Sequence, residues 1–277
     1  MPELPEVESL RRILSRSAVG RTIVSARIGK LPLRRRVTPD FGAKIAGRTI
    51  ERISRRAKYL MFELTGDSII LAHLGMSGSI THRHSAFDAS AFNIKHDHLE
   101  FALDDASRLV YNDPRRFGMV RLISRDDLAV IAELKGIGPE PLSADFNADY
   151  LAGQARGKKV AIKNLIMDQK IVAGVGNIYA SEILFHARVR PTRSAGRVKR
   201  AEIDLIAEFT PKVLRAAIGS GGTTFRSYRD SRGRPGAFSK RLMVYGREDE
   251  PCYVCGTAIR NVVLGQRASF YCPKCQR

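Results

Sequence analysis

A chain of 277 residues, 44% hydrophobic and 27% charged, holds enough apolar material for one large core or two smaller ones, which excludes a disordered or low-complexity protein. Its 47 Lys+Arg against 28 Asp+Glu give a formal net charge of +19, a balance that favours a polyanionic partner and above all nucleic acid. No stretch approaches the apolar length of a membrane span and no apolar run follows a basic start, so the expectation is a cytoplasmic protein without membrane association.

The opening MPELPEVE is out of character, with three glutamates and two prolines in a strongly basic chain. Residues 5 to about 19 predict a helix. Pro5 suits the first turn, Glu6 and Glu8 face the positive end of the dipole, and Arg11, Arg12 and Arg16 lie toward the other end. Val7, Leu10, Ile13 and Leu14 form the apolar stripe, and Gly20 is a natural stop.

From about 20 to 124 the pattern turns to strands. KYLMFEL and SIILAHL flank a TGD turn, while HLEFAL, RLVYN and FGMVRLI are separated by DDAS and DPRR. Short runs punctuated this way predict antiparallel β structure in a sandwich or barrel. Residues 82–95 predict a loop, and LKGIGPEPLSADF at 134–146 a linker. Beyond it the period becomes helical in VAIKNLIM, in NIYASEILFHA and over roughly 198–218, where Pro211 is expected to kink or interrupt the helix. A glycine-rich basic loop follows, with six basic side chains and one acidic over 226–241.

All four cysteines lie in the last 26 residues, as C-x2-C-x16-C-x2-C. Cys252, Cys255, Cys272 and Cys275 have the spacing of a closed tetrahedral thiolate set for one structural zinc ion. The alternatives are two disulfides, disfavoured in a reducing compartment, or plain buried thiols. His82, His84, His96 and His98 show no ordered ligand spacing and read as loop histidines.

Several stretches can carry chemistry. Removal of Met1 would leave Pro2 as a secondary amine, able to attack an aldehyde carbon and form an iminium, with Glu3 beside it as an acid or base. Lys58 enters an apolar strand, either as an ordinary strand-edge lysine or as a group facing a site. Met76 sits in the tight turn HLGMSGS, either protruding or buried in the core. In YNDPRRFG a turn begins at Asp113-Pro114 and carries Arg115, Arg116 and Phe117. An exposed aromatic there suits insertion into a base stack, whereas a buried one leaves only a basic hairpin. GVGNIYASE puts glycines and Asn177 at a helix start, where free N–H groups suit a phosphate, and Lys158 and Lys159 lie upstream.

Taken together, MPELPEVE, RRAKYL, HLGMSGS, KHDH, DPRRFG, GIGPEPL, GVGNIYASE, GGTT, VYGR and QRASFYCPKCQ make the chain resemble formamidopyrimidine-DNA glycosylases along nearly its whole length. That resemblance implies an α+β protein of two domains: an N-terminal antiparallel β-sandwich flanked by helices, and a helix–two-turn–helix domain with a β-hairpin zinc finger, with DNA in the cleft between them. The implied boundaries are 1–133 for the catalytic domain, 134–150 for a linker, 151–245 for the helical domain and 246–277 for the zinc finger. The implied activity is base-excision repair of oxidised purines, 8-oxoguanine and formamidopyrimidines, coupled to strand cleavage at the abasic site. One structural zinc and no organic cofactor are expected, with duplex DNA as partner and a monomer as the default.

Carried over by matching motif, Pro2 is the nucleophile, Glu3 its acid/base partner and Glu6 a support of the site. Lys58 becomes a proton donor in β-elimination, and Arg267 of QRASF is associated with δ-elimination and phosphate contact. His96, Arg115, Lys158 and Asn177 fall on DNA-binding positions, and Met76, Arg115 and Phe117 match the trio filling the gap left by a flipped nucleotide. The loop around 220–228 corresponds to the segment that closes over that nucleotide. Two rivals stay open on the residues: a sister enzyme of the endonuclease VIII type acting on oxidised pyrimidines, and a non-catalytic zinc-ribbon DNA binder.

Overall fold

The computed structural model describes residues 2–38, 40–83, 94–223 and 237–277. The chain divides into two compact units, Met1–Lys135 with Ile218–Ser239, and Gly136–Ala217 with Lys240–Arg277.

The first unit opens with helix α1, Leu4–Ala18. Strands β1 (Ile23–Ile28), β2 (Ile50–Arg56), β3 (Tyr59–Leu64), β4 (Ser68–His73), β5 (Ser79–Arg83), β6 (Asp97–Leu103), β7 (Arg108–Asn112) and β8 (Met119–Ser124) follow, with a short helix α2 (Phe41–Ile45) after β1. They build two four-stranded antiparallel sheets, ordered β1-β6-β7-β5 and β2-β3-β4-β8. One core lies between them. Ile23, Ile80, Leu99, Phe101, Leu109 and Tyr111 of the first sheet pack with Ile53, Leu60, Phe62, Ile70, Ala72 and Val120 of the second, and α1 adds Val7, Leu10 and Leu14. This is the expected sandwich. β3 and β4 read as nearly continuous apolar runs because their other face is also covered, by a second cluster of Met61, Ile69, Leu71, Met119, Ile123 and Ile131.

The expected loop at 82–95 is narrower where it is described: β5 continues through Arg83, and Ile94–His96 form a single 3₁₀ turn. The part at 84–93, including His84, lies outside the described residues.

The second unit carries helices α3 (Ala148–Ala155), α4 (Ile162–Met167), α5 (Asn177–His186) and most of α6 (Arg200–Gly219). The sequence reading missed α3, whose cap is local: Asn147 accepts the Tyr150 N–H on its side-chain oxygen at 3.0 Å. Pro211, expected to kink or interrupt the last helix, does not interrupt it: α6 runs as one element with Pro211 inside it. Burial of Ile203, Ile206, Val213, Leu214 and Ala217 along one face holds the helix together across the missing N–H. α5 is buried from Ile178 to Phe185, so its periodicity is hidden in an all-round apolar sequence.

The chain ends in a hairpin of β9 (Arg260–Leu264) and β10 (Arg267–Tyr271). Cys252, Cys272 and Ile259 pack with Phe185 and Val244, joining the hairpin to α5. Among the described residues no helix is long and apolar enough to cross a membrane.

Candidate active site

Helix α1 begins at a buried acidic cluster. Pro2 is buried, and Glu3 and Glu6 are only 2% and 1% exposed. Glu6 accepts the Glu3 N–H on Oε2 at 2.8 Å, as a third-position glutamate does at a helix start. Its other oxygen, Oε1, accepts the N–H of Thr223 at 2.7 Å. Gly222 packs so tightly on this carboxylate that a Cβ there would stand 2.8 Å from Oε1, and its φ of +85° independently favours glycine. The start of the 220–228 loop is therefore clasped to the N-terminus, and its remainder from 224 lies outside the described residues.

Glu8 does other work than the dipole role expected of it. Burial raises its pKa, but hydrogen bonds from Arg11 and Arg12 and the charges of Arg11 and Arg55 outweigh that and bring the carboxyl down to about 2. Arg55 reaches Glu8 at 3.3 Å and donates to the Ala57 carbonyl at 2.8 Å. Ala57 has φ +50°, in the left-handed region, and directly precedes Lys58. Lys58 thus sits on a tight turn between β2 and β3 rather than within a strand, and it is buried.

The turns bearing Met76 and Phe117 lie side by side, since His73 pairs with Met119 and Ser79 with Asn112. Met76 is 40% exposed and Phe117 46%, so neither is tucked into the core. The Arg115 guanidinium lies 4.7 Å from the Phe117 ring centre. His96 joins this corner through its carbonyl, which accepts the Asp113 N–H at 3.0 Å. Behind the Met76 turn, burial and the charges of Lys58 and Arg34 lower the His73 pKa to about 4. The neutral ring accepts the Gly75 N–H on Nδ1 at 3.0 Å. His82 is bonded to Ser107, and His98 to the Asp113 carbonyl.

In the second unit Asn177 opens α5, and its side chain is internally engaged. Nδ2 donates to the Ala268 carbonyl at 3.0 Å, and Oδ1 accepts from Lys163 Nζ at 2.6 Å. Lys163 is fully buried and also donates to Ser269 Oγ at 2.7 Å and the Ala268 carbonyl at 3.2 Å. Arg267, exposed at the start of β10, is thereby held one residue from the Asn177 network. Lys158 stands elsewhere in this unit, exposed on the turn after α3, with its carbonyl accepting from Gly196 N and Ser194 Oγ.

Sequence reasoning missed Lys163, Asp113 as a buried hydrogen-bonding hub, and Glu182. The Glu182 carboxylate, buried in α5, accepts the N–H groups of Met243, Val244 and Tyr245 at 2.7–3.0 Å. Burial raises its pKa. A charged residue in an otherwise apolar helical run was the available signal for both Lys163 and Glu182.

The Sγ atoms of Cys252, Cys255, Cys272 and Cys275 all lie within 4.8 Å of one another, and the four cysteines are free thiols. The Cys255–Cys272 and Cys252–Cys275 separations are 3.5 and 4.0 Å. These bracket the edge of about 3.8 Å that follows from a tetrahedron with Zn–S near 2.3 Å. Hydrogen bonds from Thr257 lower the Cys255 thiol to about 6, whereas burial raises Cys272 and pushes Cys275 up to about 12, so it is the geometry that marks a metal set.

Comparison with known proteins covers the same ground. The sequence profile of the formamidopyrimidine-DNA glycosylase N-terminal domain matches residues 1–120, that of the H2TH domain of the same enzymes matches 137–229, and that of the zinc finger found in FPG and IleRS matches 249–277. The formamidopyrimidine-DNA glycosylase of Syntrophotalea carbinolica is 46% identical over 279 residues, covering all of both chains. Lactococcus lactis Fpg, solved with DNA containing an abasic site, superposes with TM-score 0.90 at 34% identity over 99% of each chain. MutM solved with DNA containing carbocyclic 8-oxo-G gives TM-score 0.89 at 33% identity over all of both chains. Full-length similarity, the shared two-domain fold and the four-thiol finger make this chain a member of the formamidopyrimidine-DNA glycosylase family.

Proposed function

We propose that the protein excises oxidised purines, 8-oxoguanine and formamidopyrimidines, from duplex DNA and then cleaves the abasic strand through a Schiff base on Pro2. The observation that carries an enzyme rather than a simple binder is the burial of Glu3 and Glu6 beside Pro2. Two carboxyl groups placed out of solvent at the N-terminus of a chain of charge +19 serve proton transfer better than they serve DNA affinity.

After removal of Met1 the Pro2 nitrogen is a secondary amine. It attacks C1′ of the damaged nucleotide, the bond from C1′ to the base breaks, and the proton shed by the Pro2 nitrogen leaves with the base. Glu3 protonates the sugar ring oxygen as the ring opens, leaving the iminium between Pro2 and C1′. Glu6 supports this centre by ordering the Glu3 backbone and the 222–223 segment. Lys58 acts as proton donor in β-elimination, and Arg267 assists δ-elimination while binding phosphate. His96, Arg115, Lys158 and Asn177 bind DNA. Met76, Arg115 and Phe117 form a wedge that fills the space of the flipped nucleotide, offsetting the few kcal/mol that flipping costs. The zinc ion, held by the four cysteines, orders the hairpin that carries Arg267. In this reading the enzyme acts as a cytoplasmic monomer on the chromosome, and its chain comprises a catalytic domain over 1–133, a linker over 134–150, a helical domain over 151–245 and a zinc finger over 246–277.

Borohydride trapping on an 8-oxoguanine:cytosine duplex, beside a 5-hydroxyuracil duplex, tests the assignment. The expected result is a covalent adduct mapped by mass spectrometry to Pro2, stronger with the purine lesion. An adduct favouring the pyrimidine lesion moves the protein to the endonuclease VIII type, and no adduct with Met1 removed leaves a binder.

A further inference from the structure

The turns that carry Met76 and Arg115/Phe117 both cross between the two sheets. Residues 74–78 lead from β4 in one sheet to β5 in the other, and residues 113–118 lead back from β7 to β8. Their backbones touch: a Cβ on Gly75 would lie 2.5 Å from Gly118 N and from the Phe117 carbonyl carbon, and a Cβ on Gly118 would collide with Tyr111 Oη. Contact alone resists compression but not sliding. A directional bond is needed to fix one turn against the other.

Asp113 supplies it. This carboxylate is 0% exposed. Oδ2 accepts the Gly118 N–H at 2.8 Å, and Oδ1 accepts the Arg115 N–H at 3.2 Å, so the aspartate closes its own turn. The bland reading of an aspartate before proline ends there. It does not account for the third bond, in which the Ser77 hydroxyl donates across to Oδ1 at 2.6 Å. Ser77 Oγ in turn accepts the Arg115 N–H at 3.2 Å. Ser77 follows Met76 directly, and Asp113 stands two residues before Arg115 and four before Phe117. The Asp113 backbone is anchored as well, through N–H to the His96 carbonyl and carbonyl to His98 Nε2.

We propose that the Ser77–Asp113 hydrogen bond is a positioning element that locks the two turns into one preformed wedge, so that Met76, Arg115 and Phe117 enter the duplex together. The proposal rests on the wedge role given to these three side chains above. Its physical basis is preorganisation. Side chains that must be ordered during insertion lose part of the free energy that insertion supplies, whereas a rigid wedge does not. A charge-assisted bond buried from water is strong enough to hold that geometry.

A double-mutant cycle with Ser77→Ala and Phe117→Ala tests it, read as single-turnover excision of 8-oxoguanine. Ser77→Ala should melt within about 5 °C of the native protein, since Asp113 keeps its Arg115 and Gly118 partners. In the native background it should slow excision about tenfold, the scale of one hydrogen bond to a charged group. In the Phe117→Ala background the same change should slow it clearly less, because one of the three side chains that Ser77 holds in register is already gone. An equal effect in both backgrounds overturns the proposal and leaves the repair function standing. A Phe117→Ala protein with native excision overturns the wedge reading and the proposal with it. Absence of excision by the native protein overturns the functional reading itself.

Discussion

Glu6 joins segments 217 residues apart, accepting the Thr223 N–H on Oε1 at 2.7 Å while Oε2 takes the Glu3 N–H at 2.8 Å. One buried carboxylate thus orders both the helix start beside Pro2 and the backbone of Gly222 and Thr223. Glu6→Gln keeps the size but removes the charge and one acceptor. Single-turnover excision of 8-oxoguanine should fall roughly 10–100-fold, the range of one to two charge-assisted hydrogen bonds lost from a buried site. Native excision by this variant contradicts a role for Glu6 in the site.

Lys163 ties α4 to Asn177 and to β10 through Asn177 Oδ1, the Ala268 carbonyl and Ser269 Oγ. Lys163→Met leaves the Asn177 and Ser269 oxygens without their donor in a buried setting, at about 1–3 kcal/mol for each unsatisfied group. Affinity for an abasic-site-analogue duplex should drop about tenfold or more, with zinc content unchanged. Fluorescence anisotropy and metal analysis read the two quantities. Native affinity would mean that the network does not position Asn177 for phosphate.

Glu8 makes a pH-dependent contribution with a definite sign. Its folded pKa of about 2 lies below the 4.5 of an ordinary glutamate, so its stabilisation is present above pH 4.5 and is lost as pH falls toward 2. At pH 7 Glu8→Gln should cost about 1–2 kcal/mol, kept small because Arg11 and Arg12 are partly solvent-screened. In urea melts the difference between the two proteins should be smaller near pH 3 than at neutral pH and should vanish only toward pH 2. A constant difference would assign the effect to shape rather than charge.

The zinc site predicts coupled loss of metal and binding. Chelation under denaturing conditions should release about one zinc per chain, and the stripped protein should bind DNA more weakly because the hairpin carrying Arg267 loses its order. Zinc-free protein with full affinity rules out that ordering role.

Elements whose signals are local were legible along the chain. Short apolar runs broken by TGD, DDAS and DPRR marked the strands now seen as β3, β4 and β6–β8, and the cysteine spacing marked the metal-ligand set. Motif order along the whole chain pointed to the family that full-length comparison then showed. Where the local signal misled, packing was the reason. Pro211 lowers helix propensity, but the buried face of α6 carries the helix across it. Glu8 looked like a dipole partner until Arg55, 47 residues away, proved to share its carboxylate.

Which polar groups act together emerged from packing. Met76 and Phe117 could each have been core residues, and their exposure follows from two turns meeting where the sheets cross over. The Glu6–Thr223, Ser77–Asp113 and Lys163–Ser269 bonds link residues 217, 36 and 106 positions apart. No periodicity or spacing encodes such pairs, because a buried polar side chain finds its partner only after the apolar core has set the distance between chain segments.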